Sequence, residues 1–333
     1  MSFENGNHGQ SLWKRRQILR WGTAGIGVLG TSLLFNPVAQ SRNRPIIPPP
    51  PEDTPLQGNG VNPFTFLREF DYGTVKRENG RTVREFYLEA TSGIIELNTV
   101  VSFRTWVYND RVPGPTLRAK SGDRVRVIFN NQAGRFHSVH FHGIHPASED
   151  GIRSVRHDEQ VVYEFDAQPY GVHLYHCHVE PVTRHIGKGL YGMFIIDPPE
   201  PRPQADEMVL IMGAYDTNEN EENEFYAFNG IPNYYDDYPI PIQKDQLIRV
   251  YLLNMMEFAS AATFHLHANM FKVYRTGSTL TPHEVTDAVT MGPSERHILE
   301  FSYQYPGKYM FHPHQDWIAE KGCMGYFQVV EKA

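Results

Sequence analysis

An all-β fold of two tandem Greek-key β-sandwich domains is predicted for this chain from three observations. Aromatic residues make up 13% of its 333 residues, and it carries 24 prolines and 27 glycines. That composition suits short strands joined by turns better than long helices. Its apolar residues alternate over short, turn-bounded stretches and nowhere keep a long helical period. It also repeats itself: Tyr170–His178 (YGVHLYHCH) aligns without a gap on Pro306–His314 (PGKYMFHPH), as one β unit used twice would.

The elements follow in chain order. Residues 1–40 read as an export signal. Lys14-Arg15-Arg16-Gln17-Ile18-Leu19-Arg20 resembles the twin-arginine pattern, and the glycine-rich apolar run from Trp21 to Phe35 is too short for a comfortable membrane span. Such a signal carries folded proteins, so the expected destination is periplasmic or extracellular. Residues 41–62 are proline-rich and polar and read as an extended linker. The first sandwich is placed at 63–198 and the second at 199–333, divided at the proline cluster from Asp197 to Pro203. Arg124–Phe129 alternates Arg and Val before Ile and Phe, the pattern of a strand buried on one face. Val161–Phe165 and Ile298–Phe301 read similarly. Gly114-Pro115 and Pro306-Gly307 mark turns. The repeat extends beyond the aligned block. Asn109 and Asn229 each precede an Asp-led strand, and Gly189-Leu-Tyr-Gly192 matches Gly322-Cys-Met-Gly325.

A net charge of −7, with no Lys/Arg run after residue 20, disfavours a nucleic-acid partner. The cysteines are Cys177 and Cys323 only, so a metal on Cys177 would preclude any disulfide within the chain.

Four His-x-His pairs carry the chemistry: His140/His142, His176/His178, His265/His267 and His312/His314. On a strand, alternate residues share a face, so each pair can aim two imidazoles into one cavity. Imidazole suits copper, zinc, iron and nickel. Cys177 lies between two of these histidines and leaves the opposite face of its strand. A blue-copper site needs two histidines and a cysteine in a trigonal plane, with a weak axial group or none. His137, Cys177 and His185 supply that set. Leu190 is the axial candidate, a residue that cannot ligate, with Met193 competing. Loss of a soft axial donor should raise the potential. In the second half Ala262, Pro313 and Ile318 stand where these ligands would be, and Cys323 falls at the axial position. One blue copper, in the first domain only, is therefore expected.

His140-Phe-His-Gly143 and Tyr175-His-Cys-His178 resemble two signatures of the multicopper oxidase family. Phe264-His-Leu-His267 and His312-Pro-His314 resemble the other two, and Asn109–Leu117 (NDRVPGPTL) is similar to the family's first-domain opening. The resemblance covers roughly residues 85–330 and points to the small, laccase-like oxidases built from two cupredoxin-like domains. It implies type-1 copper on His137, Cys177 and His185. It implies type-2 copper on His140 and His265, and a type-3 pair on His142, His176, His178, His267, His312 and His314. That makes four coppers per protomer. It further implies one-electron oxidation of a phenol, an aromatic amine or a metal ion, coupled to reduction of dioxygen to water. Asp150 resembles the family's proton-delivery aspartate, with an ordinary Asp-Gly turn as the plain alternative; Asp316 is a weaker candidate. Relatives of this size build the cluster between the first domain of one subunit and the second domain of its neighbour. A homotrimer is thus expected, or else a cluster closed within one chain.

Two rival functions remain at this stage. Copper nitrite reductases share the layout, but that family places an aspartate at the position of His140 and a non-ligand at that of His178. A blue-copper electron shuttle would need no histidine cluster. A metal-ion donor would draw on carboxylates such as Glu180 or the acidic stretch Glu219–Glu224, which otherwise reads as a solvated loop. His145 and His157 break the pair spacing and read as surface or supporting residues.

Overall fold

The structure, a computed structural model, describes residues 62–143 and 146–331. The signal-like segment, residues 41–61 of the linker and His145 lie outside the described residues. Among the described residues no helix is long and apolar enough to cross a membrane.

Alternation in the sequence becomes alternation in burial. In strand Arg124–Asn131, Val125, Val127, Phe129 and Asn131 point inward while Arg124 and Arg126 face out to Glu164 and Glu78. Each fully buried Val or Phe there contributes about 1.5–3 kcal/mol of hydrophobic stabilisation. This strand lies between Arg81–Glu96 and Glu159–Asp166 in a sheet completed by Thr74–Glu78 and Ser102–Tyr108. The facing sheet runs Leu117–Lys120, Tyr191–Asp197, Gly171–His176, His140–Phe141.

The second sandwich rebuilds the same plan. One sheet runs Phe225–Phe228, Asp206–Tyr215, Ile248–Asn254, Arg296–Phe301, Phe271–Arg275, Glu284–Thr286. The other runs Ile240–Gln243, Gly325–Val330, Gly307–Pro313, Ala262–Leu266, Ala288–Met291. Parallel pairs recur at matching places. Arg81–Glu96 beside Arg124–Asn131 corresponds to Asp206–Tyr215 beside Ile248–Asn254, and Leu117–Lys120 beside Tyr191–Asp197 to Ile240–Gln243 beside Gly325–Val330. The predicted all-β, cupredoxin-like, two-sandwich fold is the fold observed.

The repeated residues earn their places physically. Asn109 and Asn229 both adopt φ of 52°, a left-handed conformation that asparagine tolerates. Each side chain accepts a backbone N–H from a strand beside it, Glu89 and Ile211 respectively. Gly189 and Gly322 sit at φ of +111° and +118°, where a side chain would be strained. Three residues on, a Cβ at Gly192 would overlap the Tyr175 ring, and one at Gly325 would lie 2.6 Å from the Phe311 ring. The Gly-x-x-Gly pattern thus lets the last strand of each sandwich pass an aromatic on the His-x-His strand.

Each sandwich has its own core, and a third apolar cluster joins them. Val172, Leu174 and Met193 from the first half meet Val209, Ile211, Tyr251 and Ile298 from the second. Beside it, Arg118 binds Asp197 and Glu207, while Arg249 binds Glu207 and Glu300. The helix Pro63–Arg68 is the first element among the described residues, yet it packs on the second half. Leu67 enters that half's core, Tyr235 donates to the Pro63 carbonyl, and Arg68 pairs with Asp206.

Candidate metal centres

Three groups of side chains among the described residues could each hold a metal: His137/Cys177/His185, His140/His142/His176 and His265/His267/His312. Each draws all its members from one sandwich.

In the first group, strand Gly171–His176 delivers Cys177 into the first core, where the residue is fully buried. His137 is anchored by paired backbone bonds to Val155, and His185 lies in the short helix Val182–Gly187. Cys177 Sγ lies 3.7 Å from His137 Nδ1 and 3.1 Å from His185 Nδ1, and the two nitrogens are 3.1 Å apart. The centre of that triangle is about 1.9 Å from each corner, close to a metal–imidazole bond of about 2.0–2.1 Å and somewhat short of the roughly 2.3 Å of a metal–thiolate bond. Burial pushes His137 down to about 3 and His185 to about 4, so both are neutral ligands at pH 7. Burial pushes the Cys177 thiol up to about 11, opposed by N–H groups of Ser138 and Val179 and by the Ser138 hydroxyl. A metal there would displace the thiol proton.

Leu190 is fully buried in the same apolar cluster as Cys177, and its carbonyl accepts the Cys177 N–H at 3.0 Å. Met193, the competing axial candidate, instead points into the cluster between the sandwiches. The equivalent site in the second half is filled with apolar groups. Ala262, Ile318 and Cys323 are fully buried in that core, and Cys323 N–H donates to the Ile318 carbonyl as Leu190 N–H does to that of His185.

The other two groups match each other in geometry. His140 pairs across strands with His176, and His265 with His312. His142 Nε2 faces His176 Nε2 at 2.9 Å, and His267 Nε2 faces His312 Nε2 at 3.1 Å. Four rings have Nδ1 fixed by a carbonyl: His140 by Asp150, His176 by Cys177, His265 by Asp287 and His312 by Pro313, at 2.8–2.9 Å. A neutral imidazole that donates from Nδ1 presents a lone pair at Nε2. All four are therefore preset as Nε2 ligands, the way metal-bound histidines are oriented. Burial lowers His142 to about 3 and His176 to about 4, and it also lowers His267 and His312. His178 and His314 stand at the margin. Their rings lie 5.1 Å from His140 and 5.3 Å from His265, outside the tight groups. His267 and His314 are exposed.

Asp150 touches His140 twice. Its carbonyl accepts from Nδ1 at 2.8 Å, and its carboxylate lies 3.2 Å from the same nitrogen. Asp287 does the same for His265, by its carbonyl at 2.9 Å and its carboxylate at 3.8 Å. Sequence reading missed Asp287 and named Asp316, which is exposed at the start of the helix Asp316–Glu320. Asp287 follows His265 by a gap unlike that between His140 and Asp150, so only the fold reveals the correspondence. In the acidic stretch, Glu219 is engaged by Arg184 and Lys188, and Glu224 caps Thr217. His157 is exposed, and its Nδ1 accepts the Gly134 N–H at 3.3 Å.

Two linked cupredoxin-like sandwiches with one thiolate–imidazole site and two polyhistidine groups define a copper-protein architecture. Sequence profiles of the multicopper oxidase family match residues 89–201 and 202–333, and the chain belongs to that family. A solved structure titled as a multicopper oxidase is 43% identical, with a TM-score of 0.81 over 82% of this chain and 98% of its own. The blue copper oxidase of Nitrosomonas europaea is 26% identical, with a TM-score of 0.66 over 74% of this chain and 86% of its own. The copper-containing nitrite reductase of Neisseria gonorrhoeae is 26% identical over 73% of this chain and 67% of its own length. The protein is thus an oxidoreductase of a copper-using family.

Proposed function

We propose that this protein is a laccase-like oxidase. It couples one-electron oxidation of a donor, a phenol, an aromatic amine or a metal ion, to reduction of dioxygen. Four donor electrons and four protons convert one dioxygen to two waters. In this reading His137, Cys177 and His185 hold a type-1 copper, with Leu190 as the axial non-ligand. His140 and His265 hold type-2 copper, and His142, His176, His178, His267, His312 and His314 hold the type-3 pair, four coppers per protomer. Copper, when bound, supplies one-electron redox chemistry at the sulfur site and dioxygen binding and reduction at the histidines. The chain supplies the wiring and the protons. Cys177 is one peptide unit from both His176 and His178, so an electron reaching its sulfur has a covalent path to the cluster ligands. Asp150 can hold a proton beside His140 and pass it on as oxygen is reduced.

The observation that carries this reading is the pair of preset, matched half-sites, each belonging to one sandwich. In this reading a second subunit brings the complementary half so that eight imidazoles converge, the alternative being a cluster closed within one chain. Met270 and Trp317, 55% and 49% exposed, neighbour His267 and His314 in sequence, and Ile152, 66% exposed, neighbours Asp150. Exposed apolar groups at such positions suit a covered interface. A head-to-tail contact that closes gives the proposed homotrimer. The twin-arginine-like start supports export to the periplasm or beyond.

Nitrite reduction is the second reading, favoured by the nitrite reductases among the 26% identical relatives. A single catalytic copper would leave several of the matched imidazoles idle. Copper counting, the near-ultraviolet type-3 band, oxygen uptake and nitric oxide formation from nitrite separate the two. About four coppers per chain with donor-dependent oxygen uptake is the expected result. One or two coppers with nitrite turnover would establish the rival.

A further inference from the structure

Beside His185 lies a groove of about 560 Å³, the size of a small-molecule site. Its composition is not neutral. Arg135, Arg156 and Arg184 line it against one carboxylate, Glu180. Trp106 forms an apolar wall, with its ring 4.8 Å from that of His185 and 5.2 Å from that of His137. Phe136, 51% exposed, adds a second aromatic surface. The Arg135 guanidinium lies over Trp106 at 5.8 Å. No carboxylate lies within ion-pair distance of Arg135 or Arg156 among the described residues, whereas Arg184 is shared with Glu219. A chain of net charge −7 therefore gathers an excess of positive charge at a groove that His185 lines.

We infer that this groove selects small aromatic donors that carry a carboxylate, such as phenolic acids, over neutral phenols and metal cations. The inference rests on the oxidase reading and names the donor class for its type-1 site. The aromatic ring packs on Trp106 and Phe136, within reach of the buried His185 edge. The carboxylate pairs with Arg135 and Arg156. Cationic donors meet Arg135 and Arg156 as like charge, and with Arg184 already paired to Glu219, Glu180 is the carboxylate left against those two guanidinium groups. The chemistry balances with dioxygen as oxidant. Four phenols each give up one electron at His185 and release the phenolic proton to solvent, leaving four phenoxyl radicals. Dioxygen takes the four electrons and four protons and becomes two waters.

The test uses the full-length, copper-loaded protein and a matched pair of donors, a methoxyphenol with a propenoate side chain and its methyl ester. Oxygen uptake gives kcat/KM for each. Calorimetry gives the Kd of a dimethoxyphenyl propenoate, which has no phenolic hydroxyl and cannot be turned over. The acid is expected to exceed the ester, with the preference shrinking as salt rises. In an Arg135→Gln/Arg156→Gln double variant the acid-to-ester ratio should fall about tenfold, and the Kd of the inert analogue should rise about as much. Lys272→Gln, remote from the groove, serves as the charge control and should leave the ratio in place. An unchanged ratio and an unchanged Kd in the double variant would overturn the inference, as would equal loss in the Lys272 control. Calorimetric binding that needs the two arginines, without any oxygen uptake, would sustain the groove assignment and sink the oxidase reading instead.

Discussion

Lowering the pH of the copper-free protein should unfold it well before its carboxylates protonate. His137, His176 and His297 are all at most 5% exposed and sit at about 3, 4 and 4, with burial the largest cause for each. In the unfolded chain the same imidazoles titrate near the ordinary value of about 6.5. Between these limits the unfolded state binds protons that the folded state refuses. Stability is therefore full above pH 6.5 and is lost progressively as pH falls toward 4. At one pH unit below 6.5 each group withdraws about 1.4 kcal/mol, and the three together about 4 kcal/mol. That is a large part of a usual folding free energy of about 5–15 kcal/mol. At 2–4 °C per kcal/mol for domains of this size, melting should drop by roughly 10 °C between pH 7.5 and 5.5. Thermal unfolding of chelator-treated protein, followed by circular dichroism at the two pH values, measures it. Copper loading should blunt the drop, because the metal binds the neutral rings. A copper-free protein whose melting temperature stays within a degree or two across that interval would refute the reasoning.

Cys177→Ser should abolish both the blue absorption and donor oxidation while copper stays on the histidine half-sites, as metal counting with optical spectroscopy will reveal. Leu190→Met should lower the type-1 potential by offering a soft sulfur donor. As a nearly volume-conserving swap it should cost less than about 1.5 kcal/mol in denaturant unfolding. Asp150→Asn keeps the backbone carbonyl on His140 and removes only the ionisable group, so kcat for oxygen reduction should fall by about 10²–10⁴ while copper content holds; full activity would remove Asp150 from proton delivery. Gly192→Ala should destabilise by several kcal/mol, since its Cβ overlaps the Tyr175 ring, and a near-wild-type denaturation midpoint would contradict the packing account.

The fold was legible because its signals are local. Alternation at Arg124–Phe129 and the ungapped match of Tyr170–His178 to Pro306–His314 survive as strand and duplicated strand, whereas Gly114-Pro115 lies in an irregular stretch and Gly307 opens a strand. The metal groups were legible because a period of two on a strand fixes which imidazoles share a face. What the sequence withheld depends on distance through space. Met193 looked like a rival to Leu190 until its strand turned it toward the second sandwich. Asp287 gave no signal, because the loop that returns it to His265 has no counterpart in spacing. The helix Pro63–Arg68 borders the first domain in sequence but buries Leu67 in the second, since its apolar stripe fits that core. The arginines of the groove are scattered over positions 135, 156 and 184 and converge only when two loops meet the helix Val182–Gly187.

The second sandwich explains why one half keeps the sulfur site and the other does not. Where the first half buries His137 and His185 around Cys177, the second buries Ala262 and Ile318 beside Cys323, with Pro313 in place of the central cysteine. Neutral imidazoles held in a core without a metal carry a desolvation cost. An apolar filling carries none and adds hydrophobic stabilisation. Retaining the thiolate site in both halves would have charged that cost twice in the copper-free state. Of the His-x-His rings only His267 and His314 are exposed and escape this cost, whereas His176 and His312 are buried and share it. In the proposed oxidase the first half would carry the costly, electron-accepting centre. The second would supply stability and the complementary histidine group, a division of labour that suits a head-to-tail assembly.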